Sequence, residues 1–508
     1  MIEWRDDENR DHRGSLFAAF AALARGKAWS FPALRPHQRE PWHSFTVQVA
    51  ALALIRAGLD TLPDGEAAWR DLLIGLTPEW PDGEAWELVV DDWSKPALLQ
   101  PPTVAATDRA AYKNQVATPD ALDMLVTAKN HDLKQERMVG ASEQDWLFAL
   151  VTLQTTEGFL GAGNYGVSRM NGGFASRMSL GVRPGGGAAA GFRRDVLRLV
   201  EHARTRPERR GGIPLLWTVP WDGTVSLNYG DLDELYVEIC RRVRLERAGD
   251  GAITARAAGS RVSRVAYKKL GGNTLDPWAP LTIDKKKDSE TYGQFVSFTV
   301  QAPGFDYKLM SRLMGGKDIV CPLLADPSHS EDRDGLSIVA AALVRGQGKT
   351  EGLHRRSIPV NRWEAISTYG DSPFDRIGVT AEKRAGEASE ASRRLGRALI
   401  SLVQGGPEKA RFDDDAAKKK TERWLEQFNC KVDGEFFDPP FWAEAAGDKE
   451  NHRLLWRTRL RAIADDVFDK AAEAAPRTEV RRIRAIAQAR SYLDRQMGKW
   501  MKDVQHGE

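Results

Sequence analysis

The chain has 508 residues, room for two to four domains at roughly 100–200 residues each. Its 73 Lys and Arg stand against 71 Asp and Glu, a formal net charge of +2. Bulk charge therefore cannot recruit nucleic acid, and any such contact must come from local patches. Cys240, Cys321 and Cys430 lie far apart with no C-x-x-C pair. That spacing excludes a disulfide framework and a structural zinc site, favours a reducing cytosol, and lets each thiol be read as a small buried apolar residue. The start, MIEWRDDENRDHRG, lacks the apolar core of a secretion signal, and the longest apolar stretch, around Val47–Ile55, is far short of a membrane span. A soluble, cytoplasmic protein with no membrane contact is expected.

Residues 13–59 read as helical, with Leu16, Phe17, Phe20 and Leu23 at helical spacing and a buried helix running from Phe45 to Gly58. Prolines make Lys95–Pro102 look extended. A helix is expected from residue 120, then a polar stretch, TAKNHDLKQERMVG, then a second helix over DWLFALVTLQ. Residues 158–191 are too rich in glycine for an element interior and read as loop. Residues 192–210 carry Arg193, Arg194, Arg198, Arg204, Arg206, Arg209 and Arg210. A helix is expected over 230–245, β-structure over 250–308, and an apolar helix over Leu336–Val344. From about 375 the texture turns to Ala, Glu, Arg and Leu with helical period, giving helices near 378–404, 414–428, 440–474 and 477–504. The expected fold class is α+β. A large mixed N-terminal domain (1–374) precedes a C-terminal antiparallel four-helix bundle (375–508).

Enzyme signatures fail on context. Gly161-Ala162-Gly163-Asn164-Tyr165-Gly166 fits G-x-G-x-x-G, but Asn171, Gly172 and Gly173 stop any helix opening there, and no acid follows at the required distance. Gly348-Lys349-Thr350 resembles the end of a phosphate loop. The glycine needed five positions earlier is Leu343, and the segment is expected to follow a helix where a phosphate loop follows a strand. No H-E-x-x-H or G-x-S-x-G occurs. A non-catalytic chain is expected, with no cofactor and no metal. The alternative is a nucleotide-dependent nucleic-acid enzyme using the glycine-rich loops.

Four segments together resemble the CasA family, the large subunit of the type I-E CRISPR Cascade surveillance complex. They are FPALRPHQREPWHSFTVQVAALAL (31–54), TPDALDMLVTAKNHDLKQERM (118–138), GNYGVSRMNGGFASR (163–177) and RGQGKTEGLHRRSIP (345–359). The resemblance implies a subunit beside the 5′ handle of the crRNA that reads the PAM on double-stranded target DNA, starts R-loop formation, and helps recruit an effector helicase-nuclease. Its implied partners are the crRNA, the target duplex, and the small, backbone and crRNA-processing subunits of Cascade. Some relatives carry a cysteine-rich cluster mid-chain; residues 245–275 here hold no cysteine.

Starting an R-loop requires holding a duplex, reading a few base pairs and prying the next pair apart; RNA–DNA pairing then supplies the remaining specificity. A glycine backbone approaches a groove closely, so Gly161, Gly163, Gly172 and Gly173 suit reading, with Asn164 and Asn171 offering amides and Arg169 a phosphate or groove contact. Tyr165 and Met170 are expected to pack. The turn Gly346–Thr350 suits prying: the family's glutamine wedge points to Gln347, while alignment on Leu353, Arg355 and Arg356 points to Lys349. The family's groove-inserting lysine on a β-hairpin falls on Lys268 or Lys269, and its crRNA-handle segment on Lys129, Asn130, His131 and Lys134. Arg193, Arg194 and Arg198 are expected to grip the duplex without regard to sequence. A solvated turn, cap or charged helix face is the competing reading of each of these.

Overall fold

The computed structural model describes residues 1–508 except 123–137, 139, 171–174, 207–210, 316–317, 327–334, 347–348, 362–372, 449, 476–478 and 506–508. Mixed helix and sheet with a C-terminal helical region make an α+β fold. The chain divides into two compact units, Met1–Phe305 with Asp318–Pro359, and Asp306–Lys317 with Val360–Glu508.

The first unit is built on helices α1 (Leu16–Ala24), α2 (Arg39–Ala57), α3 (Glu66–Gly75), the short α4 (Ala106–Arg109), α5 (Glu143–Thr156) and α6 (Gly187–Arg204). Ser15 caps α1 by accepting from the Ala18 amide, and Ser142 with Asp145 forms a capping box on α5. α2 ends where its glycine stands, with Gly58 left-handed at φ +68°. Thirteen of its nineteen residues are buried, so it is the central rod of the core. Trp69, Trp146 and Trp217 are fully buried around it with Phe20, Phe45 and Phe192. Each such side chain adds roughly 2–3 kcal/mol by leaving water.

The strands are short. β1 (Ile2–Arg5) pairs with β2 (Asp11–Gly14). β3 (Asn114–Val116) pairs with β8 (Ile253–Ala258), which pairs with β7 (Arg242–Arg247), both antiparallel. β5 (Ile213–Leu215) lies parallel to β6 (Leu232–Val237). β9 (Leu281–Ile283) lies between β10 (Phe295–Ser297) and β11 (Ile319–Val320). β12 (Leu336–Gly346) lies between β4 (Ser179–Pro184) and β13 (Lys349–Val360).

Two expected helices are strands. Residues 230–245 fold as β6 and β7 because their charged residues do not form a solvated face: Asp233, Glu234, Glu238, Arg241, Arg242 and Arg244 are all buried. Leu336–Val344 belongs to β12. Ser337 aside it is buried along its whole length, so no alternation marks it, and a continuous apolar run fits either element by period alone. The glycine-rich 158–191 segment also contains β4 and the start of α6. Lys95–Pro102 is not extended: Ala97 and Gln100 exchange both main-chain hydrogen bonds around Leu99 at φ +58°.

The second unit is helical: α7 (Tyr307–Gly315), α8 (Pro373–Gln404), α9 (Asp415–Glu435), α10 (Pro439–Ala445), α11 (His452–Glu473) and α12 (Glu479–Gln505). α8 packs against α7, α9, α11 and α12. The single helix expected over 440–474 is two, interrupted around Gly447 at φ +83° and restarted by the Asn451 cap. Residues 306–317 join this unit although they fall inside the segment read as the N-terminal domain. The Tyr307 amide donates to Asp433 of α9 at 2.6 Å and its hydroxyl to Asn429 at 2.9 Å.

Candidate nucleic-acid interface

The glycine segment after α5 has an exposed tip and a buried root. At the tip, Gly161 (φ +108°) and Gly163 (φ +84°) take conformations that disfavour a Cβ, and the Asn164 amide closes the turn on the Gly161 carbonyl at 3.0 Å. The tip is stitched to residues 259–260: the Ser260 amide donates to Gly163 O at 2.7 Å and the Tyr165 amide to Ser260 Oγ at 3.2 Å. Tyr165, expected to pack, is 42% exposed beside Phe159. Gly166 then presses on the Cys240 carbonyl so closely that a Cβ would overlap it, and residues 166–170 are buried.

Arg169 belongs to the root, not to the surface. It is 1% exposed at φ +37°, with its guanidinium carbon 3.8 Å from the Tyr236 ring centre. Nη2 donates to the carbonyls of Glu234 (3.2 Å) and Tyr236 (2.6 Å). From there it reaches neither a phosphate nor a groove, which corrects its assignment as a direct contact. An arginine among glycines reads as exposed; only β6 beneath the loop shows otherwise. Asn171, Gly172 and Gly173 lie outside the described residues. Beyond them the chain is clamped again. Arg177 pairs with Asp276 through both carboxylate oxygens (2.5 and 2.7 Å), and Ser176 Oγ donates to Leu343 O of β12 at 2.6 Å.

Lys268 and Lys269 are exposed, but on a 3-10 turn, Lys268–Leu270, instead of a β-hairpin. Two left-handed glycines end that turn, Gly271 (φ +55°) and Gly272 (φ +75°), and Gly271 packs on Val296 too closely for a Cβ. Lys268 pairs with Glu290 at 2.8 Å. Glu290 stands on the loop of the hairpin the chain does contain nearby, β9–β10. That loop carries exposed Lys285, Lys286 and Lys287, ordered by Asp284, which accepts from the Lys286 amide at 3.0 Å and the Thr291 hydroxyl at 2.7 Å. These three lysines carry no motif in the sequence beyond the run KKK between two short segments.

Of the proposed grip, Arg193 is exposed on α6. Arg194 is a structural residue: its side chain is 7% exposed and donates to Asp195, Leu324 O and Asp326 O. Arg198 pairs with Glu201 at 3.2 Å, Arg206 with Glu234 at 3.1 Å, and Arg204 with Asp60. Asp195, fully buried, also receives His43 Nε2 (2.7 Å) and Arg183 (2.9 Å). Burial pushes its carboxyl up, but Arg183, His43 and Arg194 outweigh burial and hold its pKa at about 2.

Two residues of the sequence separate β12 from β13, which are neighbours in one sheet. Gln347, Lys129, Asn130, His131 and Lys134 lie outside the described residues. Lys349 begins β13.

Compared by sequence, the chain matches no protein-family model and no curated protein. Compared by structure, it matches CasA from Thermus thermophilus over 98% of both chains, at 16% identity and TM-score 0.65. The chain has the CasA fold. Cse1 from Acidimicrobium ferrooxidans matches 99% of this chain and 97% of its own, at 14% identity and TM-score 0.66. Cse1 from Thermobifida fusca matches 98% and 96%, at 15% identity and TM-score 0.59.

Neither enzyme-like motif has the flanking elements that its nucleotide-binding counterpart has. The G-x-G-x-x-G segment follows helix α5, whereas a dinucleotide site needs a preceding strand. Gly348-Lys349-Thr350 follows strand β12, not the expected helix, yet leads into strand β13, so no helix opens to cradle phosphate. Among the described residues no cluster of His, Cys, Asp and Glu could hold a metal ion. Cys240 is buried, its Sγ donating to Leu153 O at 2.9 Å and its pKa pushed up to about 12 by burial; Cys430, contrary to expectation, is exposed. No described helix is long and apolar enough to cross a membrane.

Proposed function

We propose that the chain is the non-catalytic large subunit of a type I-E Cascade, reading the PAM on duplex DNA and starting R-loop formation beside the crRNA handle. The observation that carries this reading is the CasA fold over at least 98% of the chain. The surface chemistry supports it: a backbone-rich glycine tip with Asn164 stands in the same unit as exposed Lys268, Lys269 and Lys285–Lys287. Exposed backbone and amide groups can read groove edges, while the lysines attract phosphates at either side. The β12–β13 connection, with Gln347 and Lys349, is the wedge in this reading, and Arg193 remains as the exposed part of the grip. Lys129, Asn130, His131 and Lys134 contact the crRNA handle. The partners are the crRNA, the target duplex, the other Cascade subunits and the effector helicase-nuclease, all in the cytoplasm.

The test is assembly followed by strand opening. The chain is expected to co-purify with a crRNA and the remaining subunits. Gln347→Ala with Lys349→Ala is expected to leave assembly intact while lowering R-loop yield on linear DNA. Failure to assemble would overturn the reading; full R-loop yield from the double variant would overturn the wedge.

A further inference from the structure

Three segments distant in sequence meet at one buried hydroxyl. Ser297, on β10, is 2% exposed. Its Oγ lies 3.3 Å from the main-chain oxygen of Arg169 and 2.5 Å from that of Gly272, and its amide donates to Gly271 O at 2.9 Å. The first contact reaches the root of the glycine loop, the other two the end of the Lys268–Leu270 turn, and Ser297 itself ends the strand below Lys285–Lys287. Arg169 completes the knot from the loop side. Its backbone is left-handed, which few residues other than glycine adopt readily, and its guanidinium stacks on Tyr236 and holds two carbonyls of β6. A free loop would not retain a buried arginine at positive φ; the surrounding contacts hold it there.

We propose that Arg169 and Ser297 are positioning residues: they set the glycine loop, the lysine turn and the lysine hairpin in one register, so that sequence preference depends on two side chains that never reach the DNA. The inference rests on the PAM-reading function above. Lysine–phosphate attraction tolerates shifts of an ångström, since it is long-ranged and undirected. Hydrogen bonds from a backbone to base edges do not. Loosening the knot therefore costs discrimination before it costs affinity.

The experiment compares Arg169→Gly, Arg169→Lys, Ser297→Ala and Ser297→Thr in the assembled complex. Arg169→Gly permits the left-handed backbone while removing the whole side chain; Ser297→Thr keeps the hydroxyl. Three quantities are read: the melting midpoint, the affinity for a duplex with no guide match, and the preference among guide-matched duplexes randomised at the adjoining base pairs. Arg169→Gly and Ser297→Ala are expected to lower the preference about tenfold, the size of one misread base pair, with affinity for the unmatched duplex within about twofold. Ser297→Thr is expected to restore the preference, and Arg169→Lys to recover part of it. A merely structural role would lower the midpoint and both affinities together, and that result overturns the inference, as does unchanged preference in Ser297→Ala. If Arg169→Gly does not fold, Ser297→Ala decides alone, because it deletes one hydroxyl from an intact strand. A wild-type complex with no preference overturns the PAM-reading function and the inference with it; a selective wild type with unaffected variants overturns the inference only.

Discussion

Gly315 on α7 and Gly378 on α8 touch backbone to backbone: a Cβ built on either would fall inside contact distance of the other's Cα. This contact draws residues 306–317 into the helical unit, because two helices without side chains at their crossing can approach more closely than any others.

Alanine at either position is therefore expected to destabilise the protein by about 1–3 kcal/mol, the range for overpacking where backbone cannot yield. Gly386→Ala is the opposite case. Gly386 also lies in α8, exposed and with nothing near its missing Cβ. It is expected to gain about 0.5–1 kcal/mol from helix propensity. Urea midpoints of the three variants check both signs.

The glycine loop divides the same way. At Gly166 packing forbids a side chain, and Gly166→Ala is expected to cost several kcal/mol, roughly the upper end for core overpacking. At Gly163 only the left-handed backbone matters, and nothing stands near its Cβ position. Gly163→Asn is expected to cost less than about 1 kcal/mol, since Asn tolerates that conformation. Thermal melts separate the two.

Asp195 ties α6 to α2 through His43 and to β4 through Arg183. Its pKa is held at about 2, below the usual 3.8, so the stability it contributes is present above pH 3.8 and lost as pH falls through about 2. Burial, with Arg183, also lowers the His43 pKa below 6.5, so His43 adds an earlier loss of stability as pH falls below 6.5. Asp195→Asn is expected to cost about 3–5 kcal/mol at neutral pH by removing the buried carboxylate that faces Arg194 and one of the two carboxylates that pair with Arg183. The gap to wild type is expected to narrow in acid, read by denaturant melts from pH 7 to pH 2.

Glu238 behaves oppositely. Burial raises its pKa to about 8 despite Arg169, Arg177 and Arg264 nearby. The folded protein thus binds a proton that the unfolded chain releases near 4.5, and stability falls as pH rises from 4.5 to 8. Glu238→Gln keeps an acceptor for the Tyr267 hydroxyl and removes the charge. It is expected to be increasingly more stable than wild type as pH rises over that window, by the same melts at pH 5, 7 and 8.

Arg194→Ala is expected to lower stability, since its guanidinium ties α6 to the carbonyls of Leu324 and Asp326. Arg193→Ala, removing an exposed charge, is expected to leave stability unchanged and weaken binding to unmatched duplex while flattening its salt dependence. Paired melting and salt-titration measurements distinguish the two arginines.

Helices with strong apolar period and clear caps were legible in the sequence: α2 up to Gly58, α5 over its tryptophan-bearing core, and the long helices beyond residue 375. Local signals set them, and local signals are what a single chain displays. β6, β7 and β12 were not legible. Their buried charges and unbroken apolar run acquire meaning only against partners such as β5, β8 and β4, which are remote in sequence: Leu180 of β4 stands opposite Ala340 of β12, and Arg183 opposite Ser337.

The same division runs through the candidate site. By itself the sequence marked the glycine turns and the Lys268–Lys269 pair as candidates, because residue types that approach a groove or attract phosphate are visible one at a time. Which of them face solvent was decided by tertiary structure. Arg169 sits in a glycine-rich segment, yet it is buried because Tyr236 and the carbonyls of β6 satisfy it there. Ser297, at the end of the strand that follows Lys285–Lys287, lies within hydrogen-bond distance of main-chain oxygens of both the lysine turn and the glycine loop. A side chain's exposure depends on what the rest of the chain places against it, and that information is distributed over segments that meet only on folding.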